Sequence, residues 1–80
     1  MSVSNNLKQY RKNIKMTQTE LAKRAGVSRQ SIYAIETQKS EPSLDLAFKL
    51  SAILEIAITD LFLWSNDRKG DDAIPAFNIF

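Results

Sequence analysis

The chain has 80 residues, of which 44% are hydrophobic and 25% are charged, so its composition indicates one small globular domain. Cysteine and histidine are absent. Their absence excludes disulfides, zinc fingers and catalysis by a Cys nucleophile or a His base. The two glycines are too few for a glycine-rich phosphate-binding loop. We therefore expect neither a metal nor any other cofactor.

The N-terminus lacks the apolar stretch of a signal peptide. The longest apolar run, residues 52–64, is interrupted by Glu55 and Asp60, so no segment is expected to cross a membrane. A chain without cysteine also suits a reducing compartment. These features predict a soluble cytoplasmic protein.

The net charge of +2 is distributed unevenly along the chain. Residues 1–39 contain eight Lys or Arg and two Glu, a net charge of +6. Residues 40–80 contain three Lys or Arg and seven Asp or Glu, a net charge of −4. The N-terminal half is therefore suited to binding a polyanion, and the C-terminal half is not.

Two helices are predicted at the N-terminus. The first, at about residues 5–15, is indicated by helical spacing of Leu7, Tyr10, Arg11 and Ile14. The second begins after Thr17, where T-Q-T-E forms a capping box, and ends at Gly26, a residue able to take positive φ. Its buried face is expected to consist of Leu21, Ala22 and Ala25.

A third helix is predicted directly after this turn. Ser28 is a good N-cap, and the helix at about residues 29–37 is expected to bury Ile32 and Ile35. The loop that follows contains Pro42, because the residue before a proline leaves the helical region.

Two further helices complete the predicted domain. A fourth, at about residues 44–54, follows the N-cap Ser43 and is apolar around most of its circumference. We expect it to be buried on more than one side. A short fifth helix is predicted to be capped at Thr59-Asp60 and to run through Leu63.

The last fifteen residues are predicted to be a tail, separate from a domain of residues 1–65. Residues 66–72 are polar and turn-like, and residues 73–80, AIPAFNIF, are apolar and contain Pro75. Three roles are open for this tail: a loose end, an extra packing strand, or a segment that binds a partner.

The second and third helices, joined by a short turn containing Gly26, have the spacing of a helix-turn-helix. Residues 16–36 read M-T-Q-T-E-L-A-K-R-A-G-V-S-R-Q-S-I-Y-A-I-E, followed by E-P-S at residues 41–43. This stretch resembles the Cro/C1-type, or XRE, helix-turn-helix regulators of phages and bacteria, which usually contain T/S-Q-x-E-L-A and then G-V-S-x-x-x-I-x-x-I/W-E. The resemblance covers residues 7–62.

The length and the D-L-F-L-W ending are similar to small stand-alone repressors of the cytolysin-repressor type. This resemblance implies an all-α, five-helix lambda-repressor-like DNA-binding domain, with the chain ends paired as a small sheet. It also implies a DNA-binding transcription regulator, associated with the nucleoid, rather than an enzyme.

The third helix has one polar face and one aliphatic face. At about 100° per residue, Arg29, Gln30 and Tyr33 fall together, away from Ile32 and Ile35. Arg can bond guanine bidentately, Gln can bond adenine, and Tyr can reach a base edge, a phosphate or a thymine methyl. We predict that these three residues contact bases in the major groove.

Phosphate contacts are expected around this helix. Gln18 lies at a helix N-terminus, which attracts anions, and the resemblance implies that it also braces Gln30. Thr37 lies at the end of the polar face, and Lys39 and Ser40 lie in the loop that follows. The resemblance implies that this region contacts the DNA backbone. The family often has E-N-G-K here, whereas this chain has Glu36-Thr-Gln-Lys39, without glycine.

Arg11 lies on the apolar stripe of the first helix, so its charge needs a partner. The resemblance indicates Glu36, at the end of the recognition helix, as that partner. We expect the pair to be structural and to tie the recognition helix to the rest of the domain.

One recognition helix reads only a few base pairs, whereas a symmetric dimer reads a palindrome. The C-terminal half also has more apolar residues than a five-helix core requires. We therefore predict a homodimer through residues that include Ile56, Ile58, Leu61, Phe62 and Trp64.

Two functions follow. The first is a repressor that binds a palindromic operator as a homodimer, from a bacterium or phage. The alternative is the antitoxin of a toxin–antitoxin pair, which binds its operator and, through the tail, a partner protein. Among the acidic residues, adjacent Asp71 and Asp72 most resemble an acid–base pair. We interpret them as solvated loop residues rather than as catalytic groups.

Overall fold

The computed structural model describes residues 2–65 of the chain. The elements in order are β1 (Ser2–Asn5), α1 (Leu7–Asn13), α2 (Gln18–Ala25), α3 (Arg29–Glu36), α4 (Leu44–Leu54), α5 (Ile58–Leu61) and β2 (Phe62–Ser65). No helix in this range is long and apolar enough to cross a membrane. The predicted all-α, five-helix class with a small terminal β pairing is confirmed, while the tail of residues 66–80 lies outside the described range.

Three helices begin at the hydroxyl side chains that the sequence predicts. The hydroxyl oxygens of Thr17, Ser28 and Ser43 accept from backbone N–H groups three residues later, at 3.0–3.1 Å. Each such bond satisfies a donor that the first helical turn leaves without an intrahelical acceptor. These caps set where α2, α3 and α4 start.

Four helices are each followed, within two residues, by a residue in the left-handed conformation. These residues are Lys15 (φ 59°), Gly26 (φ 73°), Gln38 (φ 64°) and Glu55 (φ 57°). In each case the next residue's N–H returns to a carbonyl five positions earlier, at 2.9–3.1 Å, as in a Schellman motif. Glycine is the usual residue there, yet only one of these four positions has it.

The two strands pair antiparallel, with Ser2 opposite Ser65 and Asn5 opposite Phe62. This pairing corrects two predicted helix boundaries. The first helix begins at Leu7, not near residue 5, since Asn5 ends β1 and its Oδ1 accepts from Leu7 N at 3.0 Å. The fifth helix spans Ile58–Leu61 and does not reach Leu63, which lies in β2. The predicted cap at Thr59-Asp60 is also wrong, because these residues lie inside the helix and its N-cap is Ala57, which makes no side-chain cap bond.

The core contains the predicted inward faces of α2 and α3, together with residues from α1, α4 and α5. Its buried members are Leu7, Leu21, Ala22, Ala25, Ile32, Ile35, Leu50, Leu54 and Leu61. Two expectations are wrong. Ile14 is 52% exposed, because α1 ends before it, and α4 has an open side on which Leu44 is 70% and Phe48 is 56% exposed.

Candidate nucleic-acid interface

The polar face of α3 is open to solvent. Arg29 and Gln30 are exposed and Tyr33 is 48% exposed. On the opposite side, Ile32 and Ile35 are 0% and 2% exposed and hold the helix on the core. The structure therefore brings the three predicted base-contacting residues to one accessible face of a well-anchored helix.

The predicted phosphate contacts beyond α3 are also exposed, but they differ in what their polar groups already do. The Thr37 hydroxyl lies 2.9 Å from the Tyr33 carbonyl and 3.3 Å from that of Ala34, donating within the chain. It would have to exchange these bonds to donate to a phosphate. Lys39 and Ser40 lie in the exposed segment that follows, and Ser40 borders a hollow of about 340 Å³ that Gln30 also lines.

A buried ion pair joins α1 to the end of α3. Arg11 Nε donates to Glu36 Oε2 at 2.6 Å, and its Nη2 donates to Glu36 Oε1 at 3.1 Å. The third nitrogen, Nη1, donates to the Met16 carbonyl at 2.7 Å. The side chains are 9% and 1% exposed, so this bidentate pair is largely desolvated and its groups satisfy one another.

Gln18 extends this pair to the reading face. Its Nε2 donates to Glu36 Oε1 at 2.9 Å, and its Oε1 accepts from Arg29 Nη1 at 3.1 Å. The expected brace from Gln18 to Gln30 is therefore wrong, since the Gln18 amide oxygen accepts from Arg29 instead. A continuous chain of hydrogen bonds runs from Arg11 through Glu36 and Gln18 to Arg29.

Sequence reasoning missed Asn5. Its Nδ2 donates to the Ile35 carbonyl at 2.8 Å and lies 3.4 Å from Gln38 Oε1. These partners are about thirty residues away in sequence, so no local pattern could have indicated the contact. Asn5 connects β1 to the end of the recognition helix.

An exposed counterpart of the buried pair lies on α2. Arg24 Nε donates to Glu20 Oε2 at 2.8 Å, with side chains 54% and 46% exposed. The hydrogen bond and the charge of Arg24 lower the pKa of Glu20 below its ordinary value. Glu20, predicted to close the capping box, thus directs its carboxylate to Arg24.

Comparison with known proteins decides the family. The family model described as helix-turn-helix matches residues 7–61, the stretch that contains all five helices. The chain belongs to the helix-turn-helix family. It is 48% identical to an uncharacterised HTH-type transcriptional regulator of Methanocaldococcus jannaschii over 66 residues, which cover 82% of this chain and 100% of that protein.

Solved structures agree with this membership. The N-terminal DNA-binding domain of SinR from Bacillus subtilis matches with a TM-score of 0.65 and 33% identity, over 78% of this chain and 90% of that one. A SinR–SinI complex matches with a TM-score of 0.64 and 30% identity, over 91% of this chain and 68% of that one.

Membership of the helix-turn-helix family confirms the predicted recognition and fold. The chain is a transcriptional regulator with a helix-turn-helix DNA-binding domain, not an enzyme. Its similar proteins come from archaea as well as from bacteria. Within residues 2–65, no group of His, Cys, Asp or Glu is arranged to hold a metal.

This helix-turn-helix domain has a second, apolar surface, formed by α4, the loop before it and the two strands. Leu44, Phe48, Leu63 and Trp64 are 44–70% exposed. A groove of about 290 Å³ lies next to it and is lined by Val3, Glu41, Pro42, Leu44, Ala47, Ile58 and Phe62. We define the residues that line this groove, together with Phe48, as the apolar face.

The residues predicted for a dimer interface are divided by the structure. Ile58 and Phe62 line the groove, and Trp64 is 44% exposed. Ile56 is partly buried and packs against the core. Leu61 is 0% exposed, so it belongs to the intramolecular core and not to an interface. Leu61 is buried in the core rather than at an interface because it lies on the inner side of the short α5.

Proposed function

We propose that this helix-turn-helix protein is a repressor that binds a palindromic operator as a homodimer, with α3 in the major groove. The observation that carries the proposal is the hydrogen-bonded chain from Arg11 to Arg29. It places an arginine on the reading face while anchoring it through Gln18 to a buried ion pair. A base-reading side chain held in this way loses less conformational freedom on binding.

The three exposed residues of α3 have complementary chemistry for base edges. Arg29 would donate bidentately to O6 and N7 of guanine, and Gln30 would pair with adenine. Tyr33 would contact a thymine methyl or a base edge. On the DNA, Arg29 would keep one Nη on Gln18 and would use for guanine the guanidinium nitrogens that make no bond within residues 2–65.

Gln18, Thr37, Lys39 and Ser40 would then contact phosphates on either side of the groove. Such contacts set the register of the protein on the duplex without reading sequence. Residues 1–39 have a net charge of +6, which favours approach of this half to DNA in the cytoplasm and nucleoid. The acidic part of the chain that follows Ser40, residues 41–80, would face away.

Dimerisation would use the apolar face. Exposed leucine and phenylalanine side chains on one helix, beside a groove with apolar walls, match the core of a protein–protein interface better than a solvated surface. A palindromic operator would require the two-fold axis through this face to present two α3 helices to half-sites about 34 Å apart.

The proposed repressor is tested by selecting a binding site from a random duplex pool and titrating the selected and scrambled duplexes. Gln30→Ala should relax specificity at one base pair, by about 1–3 kcal/mol. Lys39→Ala should weaken both duplexes alike and reduce the salt slope by about 0.9. Lys49→Ala on α4 is the control. Equal binding of both duplexes at moderate salt would refute sequence-specific repression.

A second candidate is an antitoxin or other regulator controlled by a protein partner. It is favoured by the similarity to SinR in a solved SinR–SinI complex and by the apolar end of the tail, residues 66–80. Co-expression with the product of the adjacent gene tests it by size-exclusion chromatography. A stable complex lost in Phe77→Asp supports this role, and separate elution of the two proteins contradicts it.

A further inference from the structure

Two hydrogen-bonded ties connect β1 to the segment that follows α3. The first joins Asn5 to Gln38: Asn5 Nδ2 lies 3.4 Å from Gln38 Oε1, and Gln38 Nε2 donates to the Asn5 carbonyl at 3.3 Å. The second joins Val3 to Glu41, whose Oε2 accepts from Val3 N at 3.3 Å. Gln38 and Glu41 flank Lys39 and Ser40, so the segment between them is held at both ends.

The first tie also fixes the last turn of α3. The Ile35 carbonyl accepts from Asn5 Nδ2 at 2.8 Å and from Gln38 N at 3.1 Å. Asn5 Oδ1 accepts in turn from Leu7 N at 3.0 Å. One half-buried asparagine therefore connects β1, the beginning of α1 and the end of α3.

Gln38 adopts a conformation that its side chain makes unfavourable. Its φ is 64°, and a residue with a Cβ is destabilised there relative to glycine. Glycine would satisfy the backbone of this turn better, but it could not make the two contacts with Asn5. The amide side chain is the property that distinguishes this position from an ordinary Schellman glycine.

We propose that Gln38 and Asn5 are positioning residues that set DNA affinity by holding the Lys39–Ser40 segment for contact with the DNA backbone. The proposal rests on the proposed binding of DNA through α3. The two residues would act through Lys39 and would not themselves contact DNA. Through Asn5, the short β1–β2 sheet thus contributes to DNA affinity.

Two substitutions at one position separate positioning from stability. Gln38→Gly removes the amide and relieves the left-handed backbone, so its melting temperature should rise or stay constant. Gln38→Ala removes the same amide and keeps the strain, so its melting temperature should fall. Both should bind the selected and scrambled duplexes about fivefold more weakly, with a salt slope reduced by about 0.9, the value for one lost phosphate contact.

Glu55→Gly is the matched control, because Glu55 has the same conformation (φ 57°) at the end of α4. It has no role in the proposed contact with DNA. It should leave DNA affinity unchanged. Asn5→Ala should weaken binding at least as much as Gln38→Gly does, since it also removes the bonds to the Ile35 carbonyl and to Leu7 N. Adding Gln38→Gly to Asn5→Ala should cause no further loss of affinity.

The decisive measurement is Gln38→Gly in a Lys39→Ala background. If Gln38 acts through Lys39, the second substitution adds no further loss of affinity or of salt slope. A full additional fivefold loss would overturn the proposal, as would wild-type affinity in Gln38→Gly. Absence of specific binding by the wild-type chain would instead refute the proposed function, so the two failures are distinguishable.

Discussion

The surroundings of α3 and the apolar face differ in how their side chains are partnered within the domain. Around α3, Arg11, Glu36, Gln18 and Arg29 are bonded to one another. Among residues 2–65, no buried side-chain nitrogen or oxygen lacks a partner. On α4, by contrast, Leu44 and Phe48 are more than half exposed.

This difference separates two kinds of recognition. A preorganised polar network suits contact with a polyanion, because its donors are already aligned before binding. An open apolar surface instead gains free energy when a protein covers it. The substitutions below test whether each side works in this way, beginning with the largest expected effect.

Arg11→Ala should have the largest effect, since it leaves the Glu36 carboxylate buried without its cation. Loss of one partner from a buried pair costs about 3–5 kcal/mol, a large part of the stability of a small domain. Thermal unfolding followed by circular dichroism measures the change. DNA binding should disappear together with the fold.

Arg24→Ala is the matched control, since it removes an arginine bonded through Nε to a glutamate on a half-exposed surface. Solvent-exposed pairs contribute little, so its melting temperature should stay near that of the wild type. If the two variants melt alike, the buried pair does not anchor α3.

On the apolar face, Phe48→Asp should abolish the proposed dimer. Phe48 is 56% exposed, so the monomer should fold, while a carboxylate would be buried in the dimer interface. Loss of avidity should weaken binding to a palindromic duplex by about a hundredfold. Analytical ultracentrifugation at micromolar concentration checks the assembly state.

Lys49→Ala, on the same helix but in an exposed ion pair with Asp45, should leave the dimer intact. A wild-type chain that sediments only as a monomer would contradict the assignment of this face. So would a Phe48→Asp variant that still sediments as a dimer.

A smaller effect is expected for Gln18→Ala, which breaks the connection between the buried pair and Arg29. Glu36 keeps both bonds from Arg11, so the fold should survive. Arg29 loses its brace and the proposed phosphate contact of Gln18 is lost with it, so we expect about tenfold weaker binding of the selected duplex, equivalent to about 1.4 kcal/mol. Fluorescence anisotropy measures this loss, and unchanged affinity would contradict both roles of Gln18.

Sequence-based prediction was accurate for most helix starts and for one turn, because their determinants are local. The caps at Thr17, Ser28 and Ser43 and the turn at Gly26 depend on one residue and its immediate neighbours. Helical periodicity likewise indicated the inward faces of α2 and α3. The Arg11–Glu36 contact is long-range, and only the family resemblance implied it.

Long-range geometry accounts for what sequence reasoning missed. An apolar residue such as Phe48 has the same pattern whether the domain or a partner covers it, so periodicity predicted burial where the structure has an open side. Asn5 meets Ile35 across thirty positions, and a four-residue strand has too short a pattern to be recognised. The left-handed turns at Lys15, Gln38 and Glu55 are local, yet they were missed because each has a side chain where glycine is usual.

The smallest predicted effect concerns one of these turns, at the end of the helix that presents the apolar face. Glu55→Gly should stabilise the domain by about 0.5–1 kcal/mol, since glycine tolerates φ near 57° without the Cβ penalty. Glu55→Ala, which removes the charge but keeps the Cβ, should not. The opposite change, Gly26→Ala, meets no atom within 4 Å, yet should destabilise by about 1 kcal/mol through its φ of 73° alone. Chemical denaturation of the three variants measures these changes, and a gain with Glu55→Ala equal to that with Glu55→Gly would mean that charge, not backbone conformation, determines stability at this turn.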